Sequence, residues 1–575
     1  MLDKRRPACA SLVDLLAVRA AEQPNERAYV FLSDQGDEDV VLSFAELKRR
    51  AEAVATRLIE SGDPGDRALL LFGPGLDFIV AYFGCLLAGM LPAPMMVPRR
   101  NSSLDASASI VGDCAPRFIM THARLNSARP DLLDRFGGAQ MHWLLVDADN
   151  LSSSRQMPAL PKPTADDVAF LQYTSGSTSA PKGVRVTHGN LIANLEMLRL
   201  GFGNTRNSTY VSWTPLYHDM GLISNVLQSL YLGSLCVLLS SATFIQRPLS
   251  WLRAIHRYRA EVSGGPNFAF DLCVRRFRAE QMQDIDLSCW KVAFNAAEPI
   301  RADTLERFAA SYGPYGFNAR TMYPSYGLAE ATVLVSCGQR GAGPVIRTVG
   351  LAALRRNEIA SPTGHDDVHR IVGCGRNLPG QRLAIVDPQT CRRVGADRIG
   401  EVWVAGDHVC NGYWHNAEAT RSTFQARIAG EQDDETWLRT GDLGFMDEAG
   451  ELFIAGRIKD MMIVRGINYY PQDIEHTVYN SHPALRPHCG AAFSVLTNED
   501  EEKVVVVQEV ERSRGRIDVE DIIASIREAV VNEYEIALDS IVLIPPGTIP
   551  KTTSGKIQRN QVRQMWLQRS FAAIE

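Results

Sequence analysis

Short apolar runs bounded by turn residues recur between helical patterns from about residue 10 to Val386, and this alternation constrains the fold more than any other feature. Phe44 to Leu58 reads as a helix, because Phe44, Leu47, Ala51, Val54 and Leu58 fall near one face. Arg67 to Phe72 reads as a buried strand that stops at Gly73-Pro74-Gly75. Strands that alternate with helices in this way mark an α/β domain. After Gly456-Arg457 the texture changes. A strand from Met461 to Val464, a helix from Pro471 to Asn480, a strand from Glu502 to Val510 and a helix from Val519 to Tyr534 describe a compact α+β unit. The expected organisation is a large domain over residues 1–458 and a small one over 459–575, cut beside Lys459. Between Gly338 and Pro379 a loop-rich stretch is expected.

With 575 residues the chain is too long for a single core. Its formal charge of −6 is spread without a block of like sign, and no basic stripe for nucleic acid is visible. Two uncharged stretches, Phe78 to Val97 and Gly221 to Gln246, approach the about 20 apolar residues of a membrane span. Pro92 and Pro94 break the first, and polar residues from Ser224 to Ser241 dilute the second. Each reads as a buried helix followed by a strand, so no membrane span is expected. No apolar signal region follows Met1-Leu-Asp-Lys-Arg-Arg6, and the eleven cysteines form no Cys-x-x-Cys pair. Reduced thiols in a cytoplasmic protein are the expectation.

The strongest local signal is Tyr173-Thr-Ser-Gly-Ser-Thr-Ser-Ala-Pro-Lys-Gly183. A buried strand, Val168 to Tyr173, delivers a loop of hydroxyls and glycine that ends in a lysine. Backbone N–H groups, hydroxyl donors and one mobile cation suit triphosphate oxygens. This is not a Walker A loop, since Lys182 is followed by Gly183 and a second strand, Val184 to Val186, rather than by a helix.

At this point the sequence resembles the adenylate-forming superfamily of acyl-CoA synthetases, peptide-synthetase adenylation domains and luciferases, over essentially the whole chain. The resemblance implies α/β sheets and a β-barrel-like subdomain in the large domain, and a mobile small domain. It implies ATP and Mg2+, and it assigns roles to matching residues. Thr174, Ser175, Gly176, Ser177, Thr178 and Lys182 resemble the phosphate loop, and His218, in Leu216-Tyr-His-Asp-Met-Gly221, the residue beside the substrate carboxylate. Ala296, Ala297 and Glu298 with Ser325, Tyr326 and Gly327 resemble the adenine pocket. Glu330, with Thr174, resembles the metal site; oxygen ligands suit a hard cation. Ala329 departs from the threonine common in the family and removes one hydroxyl contact. Asp442 and Arg457 resemble the ribose site, Lys459 the hinge, and Lys556, in Pro550-Lys-Thr-Thr-Ser-Gly-Lys556, the catalytic lysine of a closing loop.

Within the superfamily, Ser263-Gly-Gly-Pro-Asn-Phe-Ala-Phe-Asp-Leu-Cys-Val274 and Asn468-Tyr-Tyr-Pro-Gln-Asp-Ile-Glu475 resemble the fatty acyl-AMP ligases. So does extra length at about residues 340–372, an insertion that in this branch packs on the small domain and disfavours CoA. The expected reaction converts a medium- or long-chain fatty acid to acyl-AMP, and then transfers the acyl group to the phosphopantetheine thiol of an acyl carrier protein. No Asp-Ser-Leu attachment site is present, so that carrier is expected to be a separate protein. Met220, Gly221, Ile223, Gly264 and Gly265 are the expected acyl-pocket residues. A CoA ligase and a non-catalytic acyl-adenylate binder are the rival readings. Retention of Lys182, Glu330, Asp442, Arg457 and Lys556 together argues against the second.

Overall fold

A computed structural model describes residues 9–98, 105–132, 136, 141–146, 162–174, 181–432, 434–464, 467–496, 502–512, 518–552 and 555–574. In the large unit parallel strands lie in the order Met322–Tyr326, Val292–Asn295, Val262–Gly265, Tyr210–Ser212, Cys236–Leu238 and Arg27–Leu32. Glu38–Ser43 closes that edge antiparallel. Alternation along Arg27–Leu32 sends Tyr29 into one core and Val30 into the other, so both faces of the sheet are covered. A second, parallel sheet is built from Leu91–Met95, Arg67–Leu71, Phe118–Thr121 and His142–Leu145. Pro92 and Pro94 are tolerated because Leu91–Met95 is its edge strand.

At the opposite end Ser336–Cys337 leads the main sheet into an antiparallel ladder of Val368–Asn377, Glu451–Arg457, Leu438–Met446, Gly400–Gly406 and Gln381–Val386. This ladder is the form the barrel-like subdomain takes.

Two stretches differ from their sequence reading. Residues 221–246 form short pieces rather than one helix and a strand: a turn at Asp219–Gly221, a π-helical Leu222–Leu227, the helix Gln228–Leu232, the strand Cys236–Leu238 and the helix Ser241–Gln246. Asn225 Nδ2 donates to the Met220 carbonyl at 2.8 Å, a side-chain bond that competes with the α-helical ladder. The stretch expected to be loop-rich contains the strand Ile346–Gly350, paired antiparallel with Val368–Asn377, and a turn of helix at Leu351–Leu354. No helix among the described residues is long and apolar enough to cross a membrane.

The small unit is a sheet of Leu485–Leu496 and Glu502–Val510, antiparallel, with Ser540–Ile544 parallel to the latter. Ile474 and Val478 of Pro471–Ser481 and Ile522, Ile526 and Val530 of Val519–Tyr534 cover one face; Val562 of Arg559–Leu567 covers the other. The segment around Arg355, where an insertion is expected, touches this unit directly. The Arg355 guanidinium lies 5.1 Å from the Tyr469 ring and 5.4 Å from the Tyr534 ring, and Nη2 donates to the Glu533 carbonyl at 3.0 Å. The Arg355 carbonyl in turn accepts from Asn468 N at 3.1 Å.

Candidate active site

Parallel α/β sheets present ligands with a crevice at the carboxyl ends of their strands. Four of the expected segments leave the sheet there: the loop after Ser212 that carries His218, the glycines closing Val262–Gly265, Ala296 to Glu298 after Asn295, and Tyr326–Gly327 closing Met322–Tyr326. Two of the glycines are required by close approach. A Cβ on Gly327 would sit 1.7 Å from the Val333 carbonyl oxygen, and one on Gly264 would sit 2.1 Å from that of Phe294.

Thr174 and Lys182 face each other in the antiparallel pair Val168–Thr174 and Lys182–Thr187. The residues between them that carry the expected phosphate contacts, Ser175, Gly176, Ser177 and Thr178, lie outside the described residues. Lys182 Nζ stands 4.7 Å from the centre of the Tyr413 ring, and the Tyr413 hydroxyl donates to Glu330 Oε1 at 2.9 Å. One tyrosine therefore joins the lysine of the loop to the expected metal ligand. Nothing in the sequence pointed to Tyr413; it lies 231 positions beyond Lys182, in Asn411-Gly-Tyr413, and is placed by pairing opposite Val184.

Asp442 and Arg457 are cross-strand neighbours, and Arg457 Nε donates to Asp442 Oδ1 at 2.8 Å. The Tyr326 hydroxyl donates to Oδ2 at 2.7 Å. Asp442 beside it pulls the half-exposed Arg457 guanidinium above its ordinary range. Burial, reinforced by Asp442, pushes the Tyr326 phenol well up, so it stays a neutral donor. Ser325 is turned back into the strand, donating to the Tyr323 carbonyl at 3.2 Å.

Lys556 comes from the small unit. Its loop is closed by pairing of Lys551 with Ile557 and by Thr552, whose hydroxyl accepts from Lys556 N at 3.0 Å. Gly555 takes the left-handed φ of +86° that this tight turn needs. Burial lowers the Lys556 ammonium below its ordinary value and Arg457 adds to this, while Asp219, Asp442 and Glu298 oppose it. The same lysine acts on the acids. Burial raises Asp219, but His218 and Lys556 outweigh it and leave the carboxyl below its ordinary range. His218 Nδ1 lies 2.5 Å from Asp219 Oδ1. Burial holds the Glu298 carboxyl above its ordinary value, against His488, Lys556 and the Phe268 N–H that donates to Oε1 at 2.5 Å. A lysine, an arginine, three carboxylates and two histidines, drawn from both units, thus act on one another here.

Ala297 holds a left-handed φ of +73°, uncommon for a residue with a Cβ, beside Glu298. Met220 and Gly221 form the short helix that His218 caps, and Ile223 follows in the π-helical turn. A Cβ on Gly265 would meet Trp213 Cζ2 at 2.6 Å, so the indole stands directly over that glycine. Lys459 is exposed and leaves the last strand of the large unit two residues after Arg457. Its neighbour Asp460 binds Arg559 Nη1 at 2.9 Å, three residues beyond Lys556.

Residues 16–414 match the family described as AMP-binding enzyme, and residues 459–575 match the Disco-interacting protein 2-like AMP domain. The chain is 43% identical to the medium-chain-fatty-acid–[acyl-carrier-protein] ligase JamA of Moorena producens, over 98% of this chain and 96% of that one. It is 34% identical to a 4-hydroxyphenylalkanoate adenylyltransferase of Mycobacterium tuberculosis, over 98% and 93%. Among solved structures it resembles a fatty acyl-adenylate ligase from L. pneumophila in complex with acyl adenylate and pyrophosphate, with 38% identity, a TM-score of 0.76 and coverage of 99% and 98%.

Proposed function

Since the chain belongs to the AMP-binding enzymes and, within them, to the fatty acyl-AMP ligases, we propose that it activates a medium- or long-chain fatty acid with ATP and hands the acyl group to the pantetheine thiol of a separate acyl carrier protein. The observation that carries this reading is Lys556. A cation from the small unit stands in the field of Asp219, Asp442, Glu298 and Arg457 of the large unit, which is the arrangement adenylate formation needs.

In the first step a carboxylate oxygen bonds to the α-phosphorus of ATP, and the bond from that phosphorus to pyrophosphate breaks. The nucleophile is already ionised, so no general base is required. The difficulty is that two anions must meet, and catalysis consists of positioning and charge neutralisation. Lys556 and Lys182 supply the cations, His218 lies beside the carboxylate, and Tyr326, Ala296, Ala297 and Ser325 line the adenine. Asp442, held at Oδ1 by Arg457, accepts from the ribose hydroxyls. Mg2+ fits Glu330 and Thr174. Tyr413 occupies only Oε1 of that carboxylate, so Glu330 and Thr174 would offer a hard cation oxygen ligands. Bound there, Mg2+ neutralises phosphate charge. In the second step the carrier thiolate attacks the acyl carbon and AMP departs. Before that attack, rotation of residues 459–575 about Lys459 removes Lys556 and admits the thiol.

The inserted segment, held to the small unit through Arg355, supports the carrier protein over CoA as acceptor. The unpaired cysteines fit a cytoplasmic setting. The test is incubation with ATP, Mg2+ and a ladder of fatty acids, with CoA or a holo acyl carrier protein added. Acyl-AMP that survives CoA and is consumed by the carrier is the expected result; conversion to acyl-CoA would replace this reading with that of a CoA ligase.

A further inference from the structure

Outside the crevice the large unit holds a groove of about 630 Å³ walled by Arg247, Arg253, Arg257, Arg276 and Arg278. All five are exposed. Asp34 and Asp37 also line it, which leaves a surplus of three positive charges in a chain whose net charge is −6. Asp34 is already engaged: its carboxylate accepts from Thr243 and its carbonyl from Arg247. Arg257 is likewise spent on the backbone, donating to the Gly36 carbonyl at 2.7 Å. Arg253 and Arg276 make no ion pair among the described residues. Unpaired arginines crowded on one rim repel one another, so their clustering is relieved when an anionic surface arrives.

The position of the groove says which anion. Its floor includes Leu32 and Leu239, at the carboxyl ends of Arg27–Leu32 and Cys236–Leu238, so it opens on the same sheet edge as the crevice. Tyr210–Ser212, which feeds the His218 loop, is two strands from Arg27–Leu32, roughly 10 Å at the usual strand spacing. Packed aromatic rings run from the groove toward Glu298 of the crevice. Phe244, next to Thr243 of the groove, stacks on Trp213 at 3.9 Å, and Trp213 meets Phe268, whose N–H binds Glu298, at 6.0 Å. A protein seated on the groove therefore stands at the same carboxyl edge of the sheet as the crevice.

We propose that the five-arginine groove is the docking surface for an acidic face of the acyl carrier protein. This rests on the carrier reading given above. Charge pairs of this kind govern association more than chemistry, so their loss appears in the carrier dependence and in salt sensitivity.

The experiment uses the holo acyl carrier protein that the wild-type chain acylates fastest from a panel, and the double variant Arg253→Glu/Arg276→Glu. Neither arginine belongs to the crevice, so pyrophosphate release with fatty acid and ATP stays at the wild-type rate. KM for the carrier is expected to rise about tenfold or more, and the salt sensitivity of transfer to shrink. Unchanged KM in a variant that still forms acyl-AMP overturns the proposal, and so does loss of binding to anionic phospholipid vesicles with carrier KM unaltered, which would give the groove to a membrane. Failure of the wild-type chain to acylate any carrier would instead remove the carrier reading itself.

Discussion

The Tyr326 phenol donates to Asp442 Oδ2 at 2.7 Å, while Arg457 holds Oδ1 of the same carboxylate at 2.8 Å. A group 5% exposed and bonded at both oxygens is fixed before nucleotide arrives. On the proposed reading, ribose hydroxyls join an organised site rather than assemble one. Asp442→Ala removes the acceptor and strands Arg457. Hydrogen bonds to charged groups are worth about 1.5–3 kcal/mol, so kcat/KM for ATP should fall by roughly 10- to 150-fold. Steady-state pyrophosphate release measures this. Tyr326→Phe, which keeps the ring and loses only the donor, should cost less, and an equal loss would contradict the assigned order of importance.

Lys556→Ala should lower acyl-AMP formation by about 10²–10³-fold, the scale for one contact made to charge in a transition state. Transfer from synthetic acyl-AMP to the carrier should be nearly unaffected. The pH dependence sharpens the test. Burial and Arg457 lower the folded-state pKa of this ammonium, so the active, protonated form is lost as pH rises and is lost earlier than for an ordinary lysine. The alkaline limb of kcat/KM should lie below the usual lysine range, and Lys556→Arg should abolish that limb. A limb that persists in the arginine variant would assign it to another group.

Glu330→Gln keeps a partner for the Tyr413 hydroxyl but removes the charge. The Mg2+ concentration for half-maximal activity should rise about tenfold or more, on the scale of ~1.4 kcal/mol lost for a hard cation. Chelation should stop acyl-AMP formation in the wild-type protein. Direct calorimetric titration of Mg2+ with ATP present separates this from a general loss of nucleotide binding.

Arg559 binds both oxygens of Glu475 at 2.6 and 2.7 Å and Asp460 at 2.9 Å, linking the sheet face, the hinge neighbourhood and the Lys556 loop. Removing one partner of such a mostly buried cluster leaves uncompensated charge, so Arg559→Ala should destabilise the small unit by about 3 kcal/mol or more. Urea unfolding should show an earlier transition for that unit. Lys459→Pro, by contrast, should leave acyl-AMP formation near normal and slow thiol transfer; equal loss of both steps would argue against a hinge there.

Much of the site was legible because its chemistry is written in short runs. Lys182, Asp442 and Lys556 each sit in a local motif, and local motifs survive without knowledge of the fold. The joins between them were not legible. Tyr413 reaches Glu330 and Lys182 only because Val184 pairs across the chain with it, a relation that no periodicity encodes. The stretch between Gly338 and Pro379 reads as loop-rich in sequence, with Gly341, Gly343, Pro344, Pro362 and Gly364 along it, yet Arg347 to Val349 find partners in the long strand that follows. The run after Gly221 misled in the opposite sense. Its apolar content suggests one helix, but Asn225 spends its side chain on the Met220 carbonyl and the helix widens to a π turn.

Arg355 adds a consequence of another kind. It grips the small unit by its guanidinium, wedged against two tyrosines, and by its own carbonyl. On the proposed reading, any swing of that unit has to break these contacts together. Residues far from the expected reacting groups thus take part in holding the small unit where Lys556 is presented.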